Sequence, residues 1–134
     1  VVAGALVVTS LFTVAAVDRS ITDTELGRIG SMVRELPAFA GYGGDWLMDE
    51  AQAAGRLLAK PPNGVDTVLA LVKDALPGAL RETCYLLCAE IAASDVEVGA
   101  EETRFMQKLG DALGLDTLVR VALERGARAR HQTV

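Results

Sequence analysis

Hydrophobic and polar positions alternate along this chain with the period of a helix, and almost nowhere with that of a strand. Leu26, Ile29, Val33 and Leu36 fall three or four apart, and Val68, Leu69 and Val72, like Phe105, Met106, Leu109 and Leu113, recur at one, three or four positions. Such spacing places each set on one face of a helix. The first run, Val1 to Val17, is apolar apart from Thr9, Ser10 and Thr13. Breakers divide the rest: Pro37, the glycine-rich Gly41-Tyr42-Gly43-Gly44, Lys60-Pro61-Pro62-Asn63-Gly64, Pro77-Gly78 and Gly114. The pattern predicts helices ending near Val17, over about 22–36, from a cap at Asp45 to about Ala59, over Val65–Leu76, Gly78–Ser94 and Ala100–Leu113, and from about Asp116 onward. Thr22-Asp23-Thr24-Glu25 has the spacing of a capping box, with Thr22 as N-cap and Glu25 three residues on.

The same pattern occurs twice. Ala15-Ala16-Val17-Asp18 with Ile21 and Glu25 returns as Ala92-Ala93-Ser94-Asp95 with Val98 and Glu102, at a constant offset of 77 (95 − 18). Each copy reads as helix, short acidic loop, helix. The expected architecture is all-α, with six to seven helices in a compact bundle. The two copies, about 1–36 and 78–113, would be related by a pseudo-twofold axis. Connector helices at about 45–76 wrap around them, and a C-terminal helix at about 115–129 closes a single domain.

The repeat also bears on the apolar start. A membrane-spanning helix needs about 20 apolar residues, and the first run has 17 with three hydroxyls. Its counterpart, Leu80–Ser94, carries Arg81, Glu82 and Glu90, charges that a lipid-facing helix seldom tolerates. The first helix is therefore expected at the centre of a soluble core rather than in a membrane.

Composition narrows the picture. The chain has 134 residues, 51% hydrophobic but only 4% aromatic, so its core must be built from Ala, Val and Leu. A net charge of −5 disfavours nucleic acid, whose phosphates need clustered Lys and Arg. The basic exception is Arg120, Arg125, Arg128, Arg130 and His131, read as cations complementing the dipole of the last helix, with His131 in a frayed tail. Cys84 and Cys88 are too few for a disulfide framework and are expected as buried, reduced thiols.

The acidic loops are where chemistry is expected. With Glu25 at position 12 of a calcium loop, Asp18 falls at position 5, but Val14 and Ala16 take positions 1 and 3 and Arg19 takes that of the glycine; the second copy behaves alike. Each loop thus has half the carboxylates of such a site. Together, Asp18, Glu25, Asp95 and Glu102 would supply four, enough for one hard cation such as calcium or magnesium. Equally, Glu25 and Glu102 can cap helix starts while Asp18 and Asp95 tie turns. Both readings stand at this point.

The repeated Ala-Ala-x-Asp-x-x-Ile/Val-x-x-x-Glu, followed by an amphipathic helix, resembles the tellurite-resistance TerB-like family over about Leu6 to Leu123. The family's acidic residues fall on Asp18, Glu25, Asp95 and Glu102, while its glycine after each aspartate is replaced by Arg19 and Val96. The resemblance implies a cytoplasmic, non-enzymatic, metal-associated protein linked to stress and tellurite resistance. It would act through a protein partner at the inner face of the membrane. The alternative is a helical interaction module with no metal site. No set of residues assembles into a catalytic site with assignable roles.

Overall fold

The computed structural model describes residues 2–16, 21–40, 44–59, 63–93 and 99–133. Among them the chain forms seven α-helices and no strand: α1 Val2–Ala16, α2 Asp23–Glu35, α3 Gly44–Leu58, α4 Gly64–Ala75, α5 Arg81–Ala93, α6 Ala100–Leu113 and α7 Thr117–Arg130. Short 3₁₀ turns at Pro37–Phe39 and Gly78–Leu80 lead out of α2 and into α5. Asp45 lies inside the first turn of α3 rather than ahead of it. The helices that follow the two acidic segments, α2 and α6, begin 77 positions apart (100 − 23).

α1 is the centre of the bundle. It packs against α3, α4 and α5, and Val7, Val8, Leu11, Phe12 and Val14 are essentially inaccessible. Thr9, Ser10 and Thr13 are buried with them. Each hydroxyl donates to the carbonyl four residues back: Thr9 to Ala5 at 2.8 Å, Ser10 to Leu6 at 3.0 Å and Thr13 to Thr9 at 2.8 Å. A buried hydroxyl without a partner is costly; bonding back along the same helix removes that cost. No helix among the described residues is long and apolar enough to cross a membrane.

The helix ends follow from local chemistry. The capping box forms as expected, with Glu25 N donating to Thr22 Oγ1 at 3.1 Å and Thr22 N to Glu25 Oε1 at 3.0 Å. Asn63 caps α4 and Asp116 caps α7. α6 ends at Gly114, whose φ of 69° is left-handed backbone that glycine adopts without strain, and Leu115 N returns to Gly110 O at 3.1 Å. Gly110 is closely covered by a side chain of α7. A Cβ there would come within 2.7 Å of the Arg120 guanidinium, which crosses it to reach Leu115 O at 2.8 Å and Asp111 Oδ1 at 2.9 Å.

Arg81 knits three helices together. From the first turn of α5 its guanidinium donates to Leu76 O and Lys73 O at the end of α4, at 3.2 and 2.8 Å. It also reaches Ala112 O and Leu113 O at the end of α6, at 3.3 and 3.1 Å. One cation thereby satisfies the terminal carbonyls of two helices at their negative dipole ends.

α7 lies along α5. Ala127 is buried and Leu123 packs against the core, whereas Leu118 is 79% exposed and Val121 is exposed. Between the two helices, Tyr85 donates to Glu124 Oε2 at 3.0 Å. Burial, and then this bond to a carboxylate, push the phenol well above its ordinary value near 10. The folded state therefore favours the neutral phenol. The stability this adds is complete below the unfolded tyrosine value and drains away as pH rises past about 10. Tyr85→Phe is expected to flatten the alkaline fall of folding stability relative to the parent. Urea melts between pH 8 and 11 check this, and parallel curves would contradict it.

Candidate functional site

The four carboxylates named from the sequence divide in two. Asp18 and Asp95 lie outside the described residues. Glu25 and Glu102 occupy the third position of α2 and α6, with 1% and 2% exposure. Glu25 Oε1 accepts from both the amide and the hydroxyl of Thr22, each at 3.0 Å. At α6 the N-cap is Gly99, which has no side chain to reciprocate. The two helix starts thus bury a glutamate at the same position with different capping chemistry. A carboxylate at a helix start is stabilised by the exposed amides and the positive end of the dipole. Its oxygen donors match a hard cation such as calcium or magnesium rather than zinc. Among the described residues no three His, Cys, Asp or Glu side chains converge on one point. Glu25 and Glu102 alone therefore do not make a metal centre, and one would need the aspartates as well.

The thiols are where the sequence put them. Cys84 and Cys88 are reduced and inaccessible, hydrogen-bonded to one another on the face of α5 that meets Ser10 of α1. Burial pushes the Cys88 thiol well above its ordinary range, and the bond to Cys84 adds to that. Arg81, one turn away in sequence, is committed to carbonyl groups instead of activating a thiolate.

A cavity of about 870 Å³ lies elsewhere, between α2, α5 and the end of α7. One end of it is polar. Glu90, on α5 and only 4% exposed, accepts at Oε1 from Arg130 Nε at 2.6 Å and from His131 Nε2 at 3.2 Å. Arg28, on α2, meets His131 Nδ1 through Nη1 at 2.5 Å. Arg28 Nη1 also lies 3.2 Å from His131 Nε2, and an arginine can only donate to the ring. Arg130 and His131 thus meet one carboxylate, and Arg28 stands on the far side of the imidazole. Arg28 Nε is buried without a hydrogen-bond partner among the described residues.

This cluster corrects the reading of the C-terminal end. Arg128 and Arg130 do stand in the last turn of α7, where cations suit the dipole. His131, however, is no frayed residue: its side chain is only 15% exposed and joins α2 to α5. The reason is Glu90, a buried charge that draws in donors from another helix. A lone glutamate in the apolar stretch of α5 was the available signal. Its partners lie 40 and 41 positions away, beyond the reach of any local pattern.

The family model for tellurite resistance protein TerB matches residues 5–124, most of the chain. The chain belongs to the TerB family. Neither a curated protein nor a solved structure matches it. The TerB match spans α2, α5 and α6 and both acidic segments, and it stops within α7, ahead of Arg130 and His131.

Proposed function

We propose that this TerB-family chain is a non-enzymatic, cytoplasmic stress-response protein of the tellurite-resistance type, whose acidic face binds a divalent cation. The cation is calcium or magnesium, held by Asp18, Glu25, Asp95 and Glu102, and it prepares that face for a protein partner at the inner membrane surface. The observation that carries this reading is the burial of Glu25 and Glu102 at the same position of α2 and α6, each just after an acidic segment. A buried carboxylate is costly unless positive charge or donors meet it. The helix starts provide donors, and a hard cation would add positive charge.

One observation favours a second reading, a helical interaction module without metal. Glu25 Oε1 is already engaged by both donors of Thr22, as a purely structural cap would be. Thermal unfolding separates the two. A ligand that binds only the folded state stabilises it by about 2.7 kcal/mol at a hundredfold excess over its dissociation constant. Calcium or magnesium at millimolar concentration is expected to raise the melting temperature by several degrees, reversibly with EDTA. If neither metal moves the transition, the interaction-module reading replaces the cation reading.

A further inference from the structure

We infer that the cavity between α2, α5 and α7 is a binding site for a small amphiphile with a single anionic head, its carboxylate or phosphate held by Arg28 and Arg130. The site borders the first acidic copy only at Thr24, and its test does not depend on the metal question.

The first argument is shape. Arg28 lies midway along α2 and Glu90 late in α5, joined through His131. From that link the apolar lining runs toward the end of α2, at Met32 and Leu36, and toward the start of α5, at Leu87, Leu86 and Leu80. The two helices therefore pass the cavity in opposite directions, with Arg28, Glu90, Arg130 and His131 gathered at one end and Ser31, Thr83 and the exposed Glu35 spaced along the rest. At 1.5 Å per helical residue, the apolar stretch beyond Arg28 is about 12 Å long. A concavity of about 870 Å³, mostly apolar with a few convergent polar groups, has the form of a small-molecule site.

The second argument is the balance of donors and acceptors. Glu90 is the only carboxylate in the cluster, and its Oε1 already accepts two hydrogen bonds. The other carboxylate lining the cavity, Glu35, is exposed and seven positions along α2 from Arg28, about 10 Å away. The guanidiniums carry five N–H donors each, of which Arg130 places one group on Glu90 and Arg28 one on the imidazole. The polar end thus has donors to spare and few free acceptors. A carboxylate or phosphate complements it, since arginine binds either in a forked geometry. An ammonium head would meet two guanidiniums. Glu90 and His131 act as positioning residues that hold the two arginines at the cavity end.

Calorimetric titration of the full chain, below the micellar range, tests this with laurate, dodecyl phosphate, dodecylamine and acetate. Laurate or dodecyl phosphate is expected to bind at one saturable site in the micromolar range, and the tighter of the two identifies the head. Dodecylamine and acetate are expected to bind at least tenfold more weakly. The R28Q/R130Q pair should weaken the anion at least tenfold. Ser31→Trp, which fills the groove from a partly exposed position on α2, should abolish binding without altering the fold, and it carries the test if the double variant does not fold. No saturable binding of either anion, equal binding of dodecylamine, or unchanged affinity in Ser31→Trp would overturn the assignment.

Discussion

Phe12→Ala is expected to cost about 3–5 kcal/mol of folding stability, the usual range for emptying an aromatic site in a core. Phe12 is 1% exposed in the middle of α1, a helix that packs against α3, α4 and α5. Few large side chains are present in a chain with only 4% aromatics. The void would have to be filled by Ala, Val and Leu side chains already fixed on four helices, so it would collapse poorly. Against a total stability of about 5–15 kcal/mol, this brings the domain close to unfolding. In a domain of this size it corresponds to a fall in melting temperature of roughly 10–18 °C. Leu118→Ala, at a site 79% exposed on α7, should change stability by no more than about 0.5 kcal/mol. Urea denaturation of the two variants side by side checks both values. A loss below about 1 kcal/mol for Phe12→Ala would place α1 outside the core.

The second large effect is expected at Arg81. Arg81→Ala removes four hydrogen bonds to the last carbonyls of α4 and α6. A hydrogen bond to a charged group contributes about 1.5–3 kcal/mol, and a neutral one about 1. Because Arg81 is partly exposed, water can replace some of these contacts, so the expected loss is about 2–3 kcal/mol rather than the sum. Arg81→Lys is expected to recover less than half of it. An ammonium is a point charge on a flexible stem and cannot span two helix ends as the planar fork does. Amide exchange gives an independent readout, with protection at the ends of α4 and α6 falling together in Arg81→Ala. Full rescue by lysine would mean that charge alone matters, against the geometry described.

Most of the helical architecture was legible because local rules governed it. The α6 bounds, Ala100–Leu113, agree with those read from apolar spacing and the stop at Gly114. The Thr22–Glu25 capping box was visible as a four-residue pattern and forms as such. Burial of Cys84 and Cys88 followed from their apolar neighbours. Asp45 was expected as the cap of α3, but the helix already begins at Gly44. The Glu90 cluster was not legible, because it depends on how α7 lies along α5, and no local period encodes that packing. Arg81 shows the same limit. In the sequence it stands near two thiols, whereas in the fold its partners are carbonyls up to 32 positions away. The doubled acidic pattern singled out Glu25 and Glu102 as candidate ligands or caps, and both are buried at helix starts.

Calorimetric titration of calcium into the parent chain and into the Asp18→Asn/Asp95→Asn double variant tests the proposed role of the acidic face most directly. The proposal predicts saturable binding to the parent with an affinity at least tenfold weaker in the double variant, while the variant keeps its helical content and nearly all its stability. Absence of binding to the parent by calcium, and by magnesium under the same conditions, would contradict it, as would equal binding by the double variant.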